Sequence, residues 1–381
     1  VSKTLLFIPS NTWTNWGGSE RMWVELALLY QQKGDRIAVY TKQWKDVPKP
    51  LQQLYAACSV YYHGNDGLIG RVLNRLFNTA GRYKRFAAAA NEIKPQLAII
   101  SQGANTDGLV WMEYCQQLDI PYITISQAAQ ENNWPDDATV ERLSIAFSHA
   151  VGNLFVSRAN KDLTERQIGT LLKNSIVVAN PFNVPYDGHV QLQKKEQDAY
   201  QIACVARFEL HAKGQDVLIA TIAQEKWKQR NLHINLYGDG VNKQHVQRLI
   251  NLYGVGDKVR IAGYETPLKI WEQNEALVLP SRYEGLPLAL VEAMLCNRMA
   301  IVTDVSGNAE VMEDNVNGFI AAAPQIKYLD EALERAWAKR QDWERMGRQA
   351  GVDIRKIIPT DPIQTLMGLI EKLTTHSNLP S

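Results

Sequence analysis

Two glutamates, Glu284 and Glu292, stand eight positions apart in the stretch SRYEGLPLALVEA, residues 281–293, with an almost wholly apolar run between them. An ionised carboxylate offers only hydrogen-bond acceptors. A pair placed this way can therefore receive hydroxyls from two parts of one polyol ligand. Cations stand upstream, where VARFELHAKGQDVLI puts Arg207 just after an apolar run and Lys213 six residues later. An arginine fork and a lysine point charge together suit a diphosphate. Each feature also has a plain reading: Glu284 as a cap, Glu292 as a solvated helix residue, the cations as a salt-bridged loop.

The elements around these residues bear on that choice. Leu277 to Ser281 reads as a buried strand, and Pro287 suits the first turn of a helix running to about Cys296. Ser281 to Leu286 then form a loop at the strand's carboxyl end. Free N–H groups after Pro287 favour an anion, which draws Gly285, Leu286 and Leu288 into the candidate site. LYGDG, Leu236 to Gly240, follows another apolar run, and Gly238 would allow close backbone approach. RIAGY, Arg260 to Tyr264, ends a third, where a nucleobase could meet backbone groups and the Tyr264 ring.

Short β-branched runs alternate with amphipathic stretches along the chain. TLLFIP, DRIAVYT, QLAIIS, PYITIS, NLFVS and SIVVAN occupy the first half, with helices expected at Glu20 to Gln32, Thr106 to Gln117 and Arg158 to Leu172. The polar segment 183–198 interrupts the rhythm, which restarts with YQIACVAR, LHINLYG, KVRIAGY, ALVLPS, MAIVTDV and NGFIAAA. Such alternation predicts an α/β protein with two doubly wound, Rossmann-like parallel-sheet domains facing across a cleft, with ligands at the carboxyl ends of the strands.

Composition narrows the function classes. At 381 residues the chain has room for two domains, and 45% hydrophobic with 21% charged residues is ordinary for a globular enzyme. A formal charge of +1 argues against a protein built on nucleic-acid binding. Cys58, Cys115, Cys204 and Cys296 form no Cys-x-x-Cys pair, which disfavours zinc or a disulfide framework and suits a reducing cytoplasm. No run reaches the roughly 18 apolar residues of a membrane span, so a cytoplasmic protein, free or peripheral at the inner membrane face, is expected.

Together these features resemble the retaining glycosyltransferases of family four, with the two-domain GT-B fold and a setting in bacterial polysaccharide assembly. The resemblance is densest from Arg207 to Gly318 and includes DVSGNAEVMEDNVNGFI. It implies that Glu292 holds the nucleotide ribose, Glu284 a donor-sugar hydroxyl, and Arg207 and Lys213 the diphosphate leaving group. It also implies an acceptor-side domain over 1–183, a donor domain over 184–358, and a last helix, 359–381, crossing back to the first domain. The implied reaction moves a hexose, by preference glucose from UDP-glucose, to a carbohydrate or lipid-linked acceptor, without a cofactor. No Asp-x-Asp triplet occurs, so no metal site is expected.

In the first half, NTWTNWGGSERMW resembles the family's glycine-rich opening loop, and Gly17 and Gly18 are read as meeting donor phosphates or acceptor; the plain alternative is a cap by Ser19. Trp13 and Trp16 either stack on a sugar or serve as hydrophobic cover. Gln127 stands where many relatives carry histidine; an amide can bind a hydroxyl but cannot act as a base. Pro287 replaces a common glycine, and NPFN, Asn180 to Asn183, a common Asn-Gly turn. Arg71 to Phe86 is basic and amphipathic, carrying Arg71, Arg75, Arg82, Lys84 and Arg85, and either touches anionic lipid or forms a solvated helix face. A silent sugar-nucleotide sensor and a nucleotide-sugar epimerase are the rival functions.

Overall fold

The computed structural model of the chain describes residues 2–12, 15–63, 79–187, 190–193 and 199–376. The chain divides into two compact units: Val1–Pro181 with Asp361–Ser381, and Phe182–Thr360. Both are parallel α/β sheets, as the alternation of runs predicts.

The first unit carries β1 (Thr4–Pro9), β2 (Arg36–Thr41), β3 (Ser59–Tyr62), β4 (Leu97–Gln102), β5 (Tyr122–Ser126), β6 (Gly152–Phe155) and β7 (Ser175–Val177), ordered β3-β2-β1-β4-β5-β6-β7. Period-two alternation sends successive side chains to opposite faces. Leu5, Phe7, Ile37, Val39, Leu97 and Ile99 accordingly lie in one core, while Leu6, Ile8, Ala38, Tyr40, Ala98 and Ile100 lie in the other. Burial on both faces explains why these strands read as continuous apolar runs.

The second unit carries β8 (Tyr200–Val205), β9 (Leu232–Tyr237), β10 (Val259–Gly263), β11 (Ala276–Leu279), β12 (Met299–Thr303) and β13 (Gly318–Ala321), ordered β10-β9-β8-β11-β12-β13. In each sheet the order reverses beside the first strand, at β1/β4 and at β8/β11. Ligand crevices of doubly wound sheets open at such points, beyond the strands' carboxyl ends.

Among the boundaries that differ from expectation, three have local reasons. The helix after β6 is Arg158–Ile168, ending where Gly169 adopts φ +62° rather than continuing to Leu172. The helix after β4 starts at Leu109, not Thr106, because Asp107 turns back to accept the Gly103 and Ala104 amides at 3.0 Å. The helix after β11 is Leu288–Leu295, with Pro287 as its capping residue rather than inside its first turn.

The last helix, Pro362–His376, packs on Gly18–Gln32 in the first unit, burying Ile363, Leu366, Met367 and Ile370 with Leu5 and Phe7. Lys33 Nζ reaches Glu371 Oε1 at 2.9 Å. In the helix Thr79–Ile93, Phe86 is buried and Tyr83 packs on the core, while Lys84 and Arg85 are exposed. The rest of the basic stretch, Arg71 to Asn78, lies outside the described residues. Among the described residues no helix is long and apolar enough to cross a membrane.

Candidate functional site

The loops after β8, β9, β11 and β12 build the site of the second unit. After β11, Ser281 is fully buried, and its hydroxyl donates to Glu284 Oε1 at 2.7 Å. The Glu284 backbone N–H donates to Ser306 Oγ at 3.0 Å, and Gly307 N–H donates to the Gly285 carbonyl at 2.9 Å. Thr303 Oγ1 closes the frame by donating to the Ser281 carbonyl at 2.6 Å. These bonds hold the Glu-Gly-Leu step against the loop following β12. The Glu284 carboxylate is left 7% exposed.

Lys213 ends the short helix Leu210–Lys213 after β8, and its Nζ lies 2.7 Å from Glu284 Oε2. The approach depends on Gly214, at φ +64°, where a Cβ would sit 2.0 Å from the Pro280 carbonyl oxygen. A side chain there would push apart the very loops that carry Lys213 and Glu284. The Cys204 thiol, at the base of the site, is pushed up to about 12 by burial, with Glu284 raising it and Lys213 lowering it.

Arg207 stands at the rim. Its guanidinium is half-exposed and pairs with Glu209, Nη2 to Oε2, at 3.1 Å. Its carbonyl accepts from Nε2 of the fully buried Gln215 at 2.8 Å. Tyr283, in the loop after β11, is half-buried. Its hydroxyl is raised by burial and by Glu209, lowered by Arg207, and raised by Glu284.

Glu292 is the fifth residue of its helix and is 4% exposed. Its Oε1 accepts two bonds from Asn183, from the backbone N–H at 2.8 Å and from Nδ2 at 2.6 Å. Ahead of it, Gly285 and Leu286 are buried and Leu288 half-buried. The first-turn amides of Leu288 and Ala289 precede any carbonyl the helix could offer them. Gly238, φ +137°, lies so close to β8 that a Cβ would meet the Ala206 carbonyl at 2.2 Å. Tyr264, after β10, is 89% exposed.

The structure thus brings Lys213, Ser281 and Glu284 into direct contact. Arg207 stands at the rim, two residues after β8, and Glu292 on the helix that follows Glu284. Two fixed acids and two cations at strand carboxyl ends can bind an anionic group and hydroxyls together, with first-turn amides adding partial positive charge.

In the first unit, Gly17 is the extended cap of the helix Gly18–Gln32, and Ser19 instead donates to Glu20 Oε2 at 2.7 Å. Ser19 is therefore not the cap. Trp16 packs partly buried on the core, and Trp13 lies outside the described residues. Gln127 is buried after β5, its Nε2 3.4 Å from Met22 Sδ.

Sequence reading missed a polar cluster at the carboxyl ends of β1 and β4. Glu20 Oε1 accepts from Asn11 Nδ2 at 2.7 Å, and Asp107 Oδ1 accepts from Ser10 Oγ at 2.5 Å. The Asp107 carboxyl is raised to about 6 because burial outweighs its bonds from Ser10, Ala104 and Gly103; Glu20 raises it further. The usable signal was a loop rich in Gly, Asn, Thr and Asp, SQGANTDG, directly after a strand.

Residues 189–351 match the family described as glycosyl transferases group 1. Alpha-D-kanosaminyltransferase of Streptomyces kanamyceticus is 29% identical over 141 residues, 36% of this chain and 36% of that protein. Poly(ribitol-phosphate) alpha-N-acetylglucosaminyltransferase of Staphylococcus aureus is 28% identical over 120 residues, 31% of this chain and 24% of that protein. The matched segment spans about a third or less of these relatives' length. Over nearly the whole chain, the fold is similar to that of Anabaena HepE, with TM-score 0.75, 16% identity and coverage of 98% and 100%. It is equally similar to sucrose-phosphate synthase of Thermosynechococcus elongatus, with TM-score 0.77, 17% identity and the same coverage. The chain therefore has the GT-B fold, and its second unit is similar to the group 1 glycosyl transferases over residues 189–351.

Proposed function

We propose that the chain is a retaining hexosyltransferase that takes a sugar from a nucleoside diphosphate, with UDP-glucose as preferred donor, and passes it to an acceptor hydroxyl in glycan assembly. The observation that carries this reading is the Lys213–Glu284 contact at the β8/β11 switch point, 2.7 Å long and keyed by Ser281. In the proposed complex the ammonium turns toward the diphosphate and Glu284 accepts a hydroxyl of the sugar. Arg207, on the exposed rim, meets the outer phosphate. Glu292 accepts the ribose hydroxyls, and Gly238 and Tyr264 border the base.

Departure of the diphosphate builds negative charge while the sugar becomes oxocarbenium-like. Arg207, Lys213 and the amides after Pro287 supply preorganised countercharge, so the chemistry needs no bridging metal. The leaving phosphate is the base that helps deprotonate the acceptor on the same face. Retention fits the alpha linkage in the names of the relatives, because UDP-hexoses carry the same anomer. Uridine fits HepE, which binds UDP and UDP-glucose. The acceptor belongs with the first unit, where Gln127, Gly17 and Gly18 stand at strand ends. A lipid-linked acceptor would use the exposed Lys84 and Arg85.

Product analysis tests this reading. Proton NMR of donor incubated with and without sugar acceptors should show a new alpha glycoside only when acceptor is present. Conversion of donor to a stereoisomer without acceptor would instead make the chain an epimerase. Donor binding without consumption, across acceptors, would make it a sensor.

A further inference from the structure

We propose that Asn183 is a positioning residue for the donor: it sets the plane of the Glu292 carboxylate before the ribose diol of a nucleoside diphosphate arrives. The inference rests on the reading of Glu292 as the ribose ligand.

A carboxylate this deeply enclosed must be compensated by hydrogen bonds to persist as an anion. Two bonds to Oε1 come from one residue, through the Asn183 backbone N–H at 2.8 Å and Nδ2 at 2.6 Å. Two donors converging on one oxygen fix the rotation of the carboxylate as well as its place. The segment that starts at Asn183 is itself held three residues on, by a circuit between Tyr186 and the helix Trp343–Ile357. The Tyr186 hydroxyl lies 2.9 Å from the Arg355 carbonyl and 3.3 Å from that of Ile358. Arg355 returns through Nε to the Tyr186 carbonyl at 2.9 Å, and through Nη2 to the Leu295 carbonyl at 2.8 Å. Leu295 is the last residue of the helix that carries Glu292. Segment 183–186 is therefore tied to Leu288–Leu295 twice, at Glu292 through Asn183 and at Leu295 through Arg355, with Val184 buried between.

A vicinal diol presents two O–H donors at a fixed spacing. A carboxylate held in one plane accepts them without first giving up rotational freedom. The Asn183 side chain supplies that constraint, and substituting it leaves the backbone bond in place.

The test is calorimetric binding to the full chain of UDP, GDP and ADP, each beside its 2′,3′-dideoxy form, using the pair whose ribose form binds tightest. Wild type should prefer the ribose form on the order of 10- to 100-fold, as for hydrogen bonds to a charged group. Asn183→Ala should cut that preference about 3- to 10-fold, a fraction of the same term, while binding the dideoxy form as wild type does. Should Asn183→Ala not fold, Asn183→Ser, with a donor on a shorter arm, should show the same change in smaller degree. Equal loss of both forms, or an unchanged preference, would overturn the inference and leave Asn183 an anchor of its segment. Glu292→Ala separates the two readings. If it abolishes the preference, the ribose assignment stands whatever Asn183 does. If it leaves the preference intact, or if wild type binds none of the three nucleotides, both fall.

Discussion

Lys213 Nζ lies 2.7 Å from Glu284 Oε2, although 71 positions separate the two residues in the chain. Both side chains are largely shielded from water, so each charge depends on the other. Removing one partner of a shielded pair strands the other. Lys213→Met should therefore lower unfolding free energy by about 3–5 kcal/mol and abolish turnover. The double variant with Glu284→Gln should recover most of the stability and none of the turnover. Denaturant titration beside steady-state kinetics reads both; recovery of turnover in the double variant would contradict the catalytic role.

Arg207 differs, because it is half-exposed and pairs with Glu209 at the rim. Arg207→Ala should leave the melting temperature near wild type and reduce kcat on the order of 10²-fold, the cost of losing one preorganised electrostatic donor. Wild-type kcat would remove Arg207 from the leaving-group role.

Gly214 and Gly254 share nearly the same backbone angle, φ +64° and φ +59°, but only Gly214 is crowded, its Cβ position lying 2.0 Å from the Pro280 carbonyl. Gly254→Ala should cost about 1 kcal/mol of conformational strain. Gly214→Ala should cost about 2–3 kcal/mol or more and impair turnover, because the Lys213 and Glu284 loops must separate. Comparable losses at the two sites, measured by denaturant unfolding, would show that the crowding is relieved elsewhere.

Asp107 makes stability fall as pH rises. Its folded pKa, about 6, exceeds the ordinary 3.8. The folded state therefore holds the proton more tightly, and stability is lost between these two values and stays lost above pH 6. Asp107→Asn can keep the same partners, its oxygen accepting from Gly103 and Ala104 and its amide donating to Ser10, whose hydroxyl then donates to the Ser101 carbonyl. The variant should gain on the order of 1–3 kcal/mol over wild type at pH 8, with the gap narrowing toward pH 5. A pH-independent difference in urea titrations would show that Asp107 is ionised throughout.

If the cations replace a metal, chelation should be silent. Dialysis against EDTA should leave donor turnover within about twofold of untreated protein, since the electrostatic work is done by fixed protein charges. Loss of turnover restored by magnesium or manganese would contradict this.

The central strands of both sheets were legible because burial on two faces makes each an apolar run of its own. β3 was not: SVYY is a four-residue edge strand, half-exposed, with no such pattern. The placement of Arg207, Lys213 and Glu284 beyond strand ends was legible because each follows an apolar run within a few residues. Their partners were not. Pairing of Lys213 with Glu284 depends on Gly214 passing Pro280, a contact between loops that no local periodicity encodes. Asn183 read as the start of a linker, and its bond to Glu292 spans 109 positions. Asp107 read as part of a helix because its return to the Gly103 and Ala104 amides is visible only once the loop is folded.

The most direct test of the donor site is nucleotide release from a panel of UDP-, GDP- and ADP-sugars, without metal and with simple sugar acceptors, by wild type and Lys213→Met. Release from one UDP-hexose by wild type, lost in the variant, is the predicted result. Neither binding nor release of any donor by wild type would contradict the site at Lys213 and Glu284.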